Sequence, residues 1–241
     1  MAEFKFPTEE IELPSKGLVY PKDNPLSSGK VEIKYMTAKE EDILTNQSYI
    51  QKGVVLDKLL ESVLVSKINI KDLIIGDKNA LLIATRILGY GKDYKFVYEG
   101  EEKSVDLSKL ENKPFNESLI TPGTNEFEYT LPHTKTPIKF KILTGGDEGK
   151  VNRELDGLKK INKNINPLLS TRLKYMITEV NGETDNKAIR EFVDNYLLAR
   201  DSKDLRNYVK EIQPDVDLTV ELEDGEEVNV PIGLNFFWPD L

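Results

Sequence analysis

Apolar positions follow helical spacing in two stretches of the chain and alternate with polar ones elsewhere. After Gly53 the set Val55, Leu56, Leu59, Leu60, Val63 and Leu64 obeys the i, i+3, i+4 rule of an amphipathic helix. A helix announced by Asp77 runs through Ala80, Leu81, Ile83, Ala84, Ile87 and Leu88, with Gly89 and Gly91 to close it. Ahead of both, Thr37 and Glu40 have capping-box spacing before Ile43 and Leu44. A second helical block is predicted near 147–163, 167–178, 186–198 and 202–213, with Pro167 in a first turn and Pro214 as a stop. Alternation predicts strands instead at 30–35, a hairpin over 94–110, a pair at 126–132 and 137–144, and a hairpin over 216–232.

The fold class that follows is α+β, with an extended N-terminal arm (1–35), a helical block (36–93), a β-hairpin region (94–144), a second helical block (145–214) and a C-terminal hairpin with an aromatic tail (215–241). Pro7, Pro14, Pro21 and Pro25 keep the arm from forming a helix, so it has little core of its own and must lie on something. The turns YEGEEKSV and LEDGEEVNV follow one plan, which reads either as module duplication or as shared turn chemistry.

Composition narrows the function. The formal net charge is -9 and the Lys and Arg are interleaved with acids, which argues against nucleic acid as a partner. With no cysteine, disulfides, thiolate zinc sites and Cys nucleophiles are excluded, which suits a reducing cytoplasm. The N-terminal stretch does not read as a secretory signal, and 54-VVLDKLLESVLV-65 is too short and too charged to span a bilayer. No membrane partner is expected.

Candidate chemistry is thin. In 142-ILTGGDEGKVN-152 a glycine loop precedes a helix, but three residues separate Gly145 from Gly149, Asp147 and Glu148 would repel phosphate, and Val151 stands where a P-loop needs a hydroxyl. The stretch reads as a flexible linker and helix start. His133 is the sole histidine and lies in a Pro-flanked turn, where a solvated ring is the expectation. Pairs such as Glu40-Glu41, Glu101-Glu102 and Glu226-Glu227 are what 42 acidic residues guarantee. No catalytic residue, cofactor site or metal site is assigned, and the expectation is that the chain is not an enzyme. Asp77, Arg86 and Tyr90 read as a helix-face group, with an internal cap and salt bridge as their structural role.

The tail 231-PIGLNFFWPDL-241 crowds three aromatic rings near the end of the sequence. They either dock on the chain's own core or anchor a partner, and Pro231 and Pro239 are expected to keep them extended.

Four stretches carry a family resemblance: 13-LPSKGLVYP-21 followed by KVEIKYMTAKEEDIL; the Gly53-led helix leading to 76-GDKNALLIATRILGYGKDY-94; 201-DSKDLR-206; and the terminal FFWP. In these the chain resembles the baseplate hub and hub-assembly family of contractile-tailed, T-even-like bacteriophages. The resemblance covers nearly the whole length. It implies a non-enzymatic, protein-binding role in baseplate assembly, location in the virion baseplate after assembly in the host cytoplasm, and other phage tail proteins as partners. Under it the contact segments are Leu13, Pro14, Lys16, Leu18 and Tyr20 in the arm, and Phe236, Phe237 and Trp238 in the tail. Family members often carry zinc-ribbon-like cysteines in the middle hairpin; here packing such as Phe96 with Val105 is expected to replace them. Three other readings stay open: a transient assembly factor absent from the mature particle, a tail-chaperone-like adaptor, and a small metal-dependent hydrolase built from distant carboxylates.

Overall fold

The computed structural model describes residues 7–162, 164, 166–222 and 225–237. In chain order its elements are β1 (Thr8–Glu12), β2 (Lys30–Lys34), α1 (Ala38–Leu44), α2 (Gln47–Gln51), α3 (Val55–Val63), α4 (Ile75–Tyr90), β3 (Asp93–Tyr98), β4 (Glu101–Asp106), β5 (Phe127–Thr130) and β6 (Pro137–Phe140). There follow α5 (Gly145–Ile161), α6 (Leu168–Met176), β7 (Ile177–Val180), α7 (Asn186–Asn195), α8 (Ala199–Ile212), β8 (Thr219–Glu221), β9 (Glu227–Asn229) and α9 (Leu234–Phe237). The fold is α+β, with antiparallel sheets ordered β1-β2, β3-β4, β5-β6-β7 and β8-β9. One cluster of buried apolar side chains draws on the chain from Leu13 to Phe237. No helix among the described residues is long and apolar enough to cross a membrane.

The first helical block follows its sequence pattern. Glu40 Oε2 accepts from the Thr37 N–H (2.8 Å), the backward reach of a capping box, and also from the Thr37 hydroxyl (2.6 Å). Burial opposes ionisation of Glu40, but hydrogen bonds from Ser62, Thr37 and Lys34 outweigh it and hold the carboxyl down to about 2. In α3 the buried residues Val55, Leu59, Leu60 and Val63 form one stripe.

The arm contributes more to the core than its prolines suggest. β1 and β2 pair antiparallel, and the turn between them tucks in Leu13, Val19, Tyr20 and Leu26, each at most 4% exposed. That turn needs two left-handed residues in succession, Lys16 (φ 52°) and Gly17 (φ 78°). A side chain at Gly17 would also strike the Ser27 carbonyl, 2.5 Å from an ideal Cβ.

Several expectations need correction. The helix predicted over 167–178 ends at Met176, and Ile177–Val180 forms β7 on β6, an edge supplied by distant residues and invisible to local periodicity. The short helix α2 carries no buried residue and so left no apolar stripe to read. α4 begins at Ile75, making Asp77 its third residue rather than its cap. Val105 faces Tyr94 across the middle hairpin, while Phe96 faces Lys103; the ring stacking there is Tyr94 on Phe96, 5.5 Å between centroids. The glycines at 145 and 146 open α5 rather than link: Gly145 N–H donates to Leu73 (2.8 Å) and Gly146 N–H to Lys71 (2.9 Å). Asp147 caps the same turn, with its carboxylate 2.7 Å from Lys141 Nζ. The tail is not extended, because Leu234–Phe237 turns once as α9.

Candidate functional site

α4 is the element on which both sequence-predicted contact segments converge. Its N-terminal end can sit deep because residue 76 is glycine: a Cβ there would lie 2.0 Å from the Pro214 carbonyl oxygen. One residue on, the Asp77 carboxylate is fully buried and accepts three hydrogen bonds from the arm. Ser15 N–H (2.9 Å) donates to Oδ1, while Ser15 Oγ (2.6 Å) and Tyr20 OH (2.5 Å) donate to Oδ2. The Tyr20 oxygen in turn accepts from the Ile74 N–H (3.0 Å), one of the donors that the start of a helix leaves without an intrahelical partner. Burial pushes the Asp77 carboxyl above its ordinary value, and the hydroxyls and amide of the arm only partly offset this. Burial and the neighbouring Asp77 push the Tyr20 phenol far up as well, so it remains a donor.

The C-terminal end holds the tail through Arg86, which is 3% exposed. Its Nε donates to the Phe236 carbonyl (2.8 Å), one terminal nitrogen to Gly91 (2.8 Å) and the other to Asp93 (3.2 Å). The guanidinium lies 5.3 Å from the Tyr90 ring centre and 5.8 Å from that of Tyr94. Burial lowers its pKa, yet an arginine stays charged. Phe236 stands edge-on to Tyr94 at 4.9 Å and to Phe237 at 5.4 Å. A groove of about 770 Å³ runs beside this packing, bordered by β3 and Pro231–Phe236.

Asp77, Arg86 and Tyr90 therefore do not act as one group. Nine residues are two and a half turns, which sets Asp77 and Arg86 on opposite sides of α4, about 14 Å apart along its axis. The expected salt bridge does not form; Tyr90 OH instead reaches Glu41 Oε1 (3.3 Å).

Of the residues expected to meet a partner, Leu13, Pro14, Tyr20, Phe236 and Phe237 are buried within the chain itself. As side chains they are occupied by the chain's own core, and the self-docked alternative describes both phenylalanines. Leu18 is half-buried. Lys16 is exposed and pairs with Glu117 at 2.5 Å, a surface contact that adds little to stability. Trp238 lies outside the described residues. Ser15 was not singled out from the sequence; nothing about a serine between Pro14 and Lys16 signals a buried acceptor 62 positions away.

The lone histidine has more structure around it than a solvated turn implies. Asp201, at the third position of α8, accepts from the backbone N–H of His133 (2.8 Å) and of Thr134 (3.1 Å), and these bonds keep its carboxyl low against the opposing effect of burial. His133 Nε2 lies 3.1 Å from Asp204 Oδ2. His133, Asp201 and Asp204 offer one ligand atom each, all within 4.8 Å of one another. Both Asp201 oxygens already hold an amide, so a cation would compete with the turn that Asp201 anchors.

Comparison with family models, with curated proteins and with solved structures finds no match to this chain.

Proposed function

We propose that the chain is a non-enzymatic, protein-binding component of the baseplate hub of a contractile phage tail, acting in baseplate assembly. One observation carries the reading beyond the resemblance itself: three of the stretches that bear it meet on α4. The arm motif 13-LPSKGLVYP-21 reaches Asp77 through Ser15 and Tyr20, and the terminal aromatics reach Arg86 through the Phe236 carbonyl. The fourth, 201-DSKDLR-206, anchors the turn at His133 through Asp201. The residues that make the resemblance are thus engaged in holding distant parts of the chain together. Ser15, Tyr20, Asp77, Arg86 and Asp201 are already hydrogen-bonded to the chain itself, an arrangement that favours a scaffold presenting surface to neighbouring tail proteins over a pocket for turnover.

Quantitative mass spectrometry of purified mature particles tests this, with copies of the chain counted against a tail protein of known stoichiometry. A stable, near-integer ratio is the expected result. Absence from particles together with abundance in hub precursors would replace it by a transient assembly factor. Absence from both would overturn the baseplate reading.

A further inference from the structure

The arm strand β1 has one backbone edge in use and one free. Leu13 N–H donates to the Gly29 carbonyl (2.8 Å) and Tyr35 N–H to the Pro7 carbonyl (3.2 Å). In an antiparallel ladder, bonded positions alternate, so Glu9, Ile11 and Leu13 turn their N–H groups and Pro7 its carbonyl toward β2, while Thr8, Glu10 and Glu12 turn their main-chain groups away. No hydrogen bond of the described residues involves the main-chain N–H or C=O of Thr8, Glu10 or Glu12. The opposite side of the sheet is closed: Glu32 N–H donates to Ser66 Oγ (2.9 Å) and its carbonyl accepts from the Val65 N–H (3.0 Å). The sheet can therefore grow on one side only.

Natural edge strands usually carry a proline, a bulge, a lysine or a covering element that discourages pairing. β1 reads TEEIE, pairs with β2 in unbroken register over its five residues, and exposes Thr8, Glu9, Glu10 and Glu12. Among the described residues its guard is negative charge. On the outer face Glu10 and Glu12 share a single cation, Lys30, at 2.7 and 3.9 Å. On the inner face Glu9 flanks the half-buried Ile11. Carboxylates in this arrangement repel an acidic strand, including the β1 of a second copy, and attract a basic one.

We propose that the free edge of β1 accepts an extended, Lys- or Arg-rich segment of a partner protein as an added antiparallel or parallel strand. Alternate side chains of that segment meet Glu10 and Glu12 on one face, and an apolar residue between them packs beside Ile11 on the other. This rests on the protein-binding part of the function proposed above and not on its baseplate part. Particle counting addresses the baseplate part, so the two can fail separately.

The test is a titration of the full chain with fluorescein-labelled Lys-Val-Lys-Ile-Lys-Val-Lys, read by anisotropy at low salt. Glu10→Pro deletes an outward N–H while leaving every β1–β2 bond in place, and it should weaken binding at least tenfold. The double variant Glu10→Lys, Glu12→Lys keeps the backbone edge and reverses the charge, and it should weaken binding at least fivefold even if the proline variant folds poorly. Equal affinity for the Glu10→Pro protein, confirmed folded by circular dichroism, would mean that charge alone holds the peptide and would overturn strand addition. Equal binding of a Glu-Val-Glu-Ile-Glu-Val-Glu peptide would overturn the basic partner. Absence of saturable binding would overturn the proposal, as would a dimer in sedimentation that Glu10→Pro dissolves.

Discussion

The two ends of α4 solve one problem with opposite chemistry. Each fixes a segment far away in sequence, the arm at Asp77 and the tail at Arg86. At the N-terminal end an acceptor is buried and the incoming segment brings the donors, two hydroxyls and an amide. At the C-terminal end a donor is buried and the surrounding chain brings three carbonyls. The signs match the helix dipole, a carboxylate near the first turn and a cation near the last. The difference lies in what removal leaves behind. Serine and tyrosine hydroxyls sealed in the core have nowhere else to donate, whereas two of the three carbonyls belong to exposed residues, Gly91 and Asp93.

The largest expected effect follows from that asymmetry. Asp77→Ala should cost about 3–5 kcal/mol, because it strands three buried donors. Chemical denaturation gives the loss, and hydrogen exchange should show residues 13–20 released while 233–237 stay protected. A loss below 1 kcal/mol would mean that the arm is held by its apolar side chains alone. Arg86→Met, which keeps most of the packing, should cost about 2 kcal/mol, with the exchange pattern inverted and the tail released first. If both variants loosened both ends equally, the two docking sites would be one cooperative unit and the comparison would fail.

The smallest effect sharpens the contrast by pH. Asp77 has its pKa raised by burial, so its contribution to stability is fully present below the unfolded value near 3.8 and is lost as pH rises through the folded value. Each unit of displacement corresponds to about 1.4 kcal/mol. Exchange protection of the arm should therefore fall over that window relative to Asp77→Asn. Protection of the tail should not change there, since Arg86 does not titrate. Glu40 acts in the other direction: its pKa is held down to about 2, so its contribution is present above about 4.5 and lost as pH falls toward 2. Glu40→Gln separates the two.

How much of this the sequence could reveal depends on how local each feature is. The stripe of α3 and the Thr37–Glu40 capping box are set by residues within one or two turns, and both were legible. β7 was not, because ITEV becomes a strand only where β6 offers it an edge. The fate of Phe236 and Phe237 depended on Arg86 and Tyr94, more than 140 positions away, and composition could only frame the alternatives. Grouping Asp77 with Arg86 failed for a plainer reason: helical periodicity says which residues share a side, and nine residues do not. The free edge of β1 was equally hidden, since KVEIKY announced a strand while TEEIE, without β-branched alternation, did not.

The bond from Arg86 to the Phe236 carbonyl spans 150 positions and sets a condition on the order of synthesis. A chain leaving the ribosome N-terminus first can bring Ser15 and Tyr20 to Asp77 as soon as α4 has emerged, while the Pro214–Asp215 segment against Gly76 follows later. The other end must wait, with the Arg86 cation and the Tyr94 ring uncovered, until the segment through Phe236 has been made. A product halted at the C-terminal hairpin would carry a finished arm and an unfinished core. The last contacts on this one helix are therefore made only after residue 236 has joined the chain, however early its first ones form.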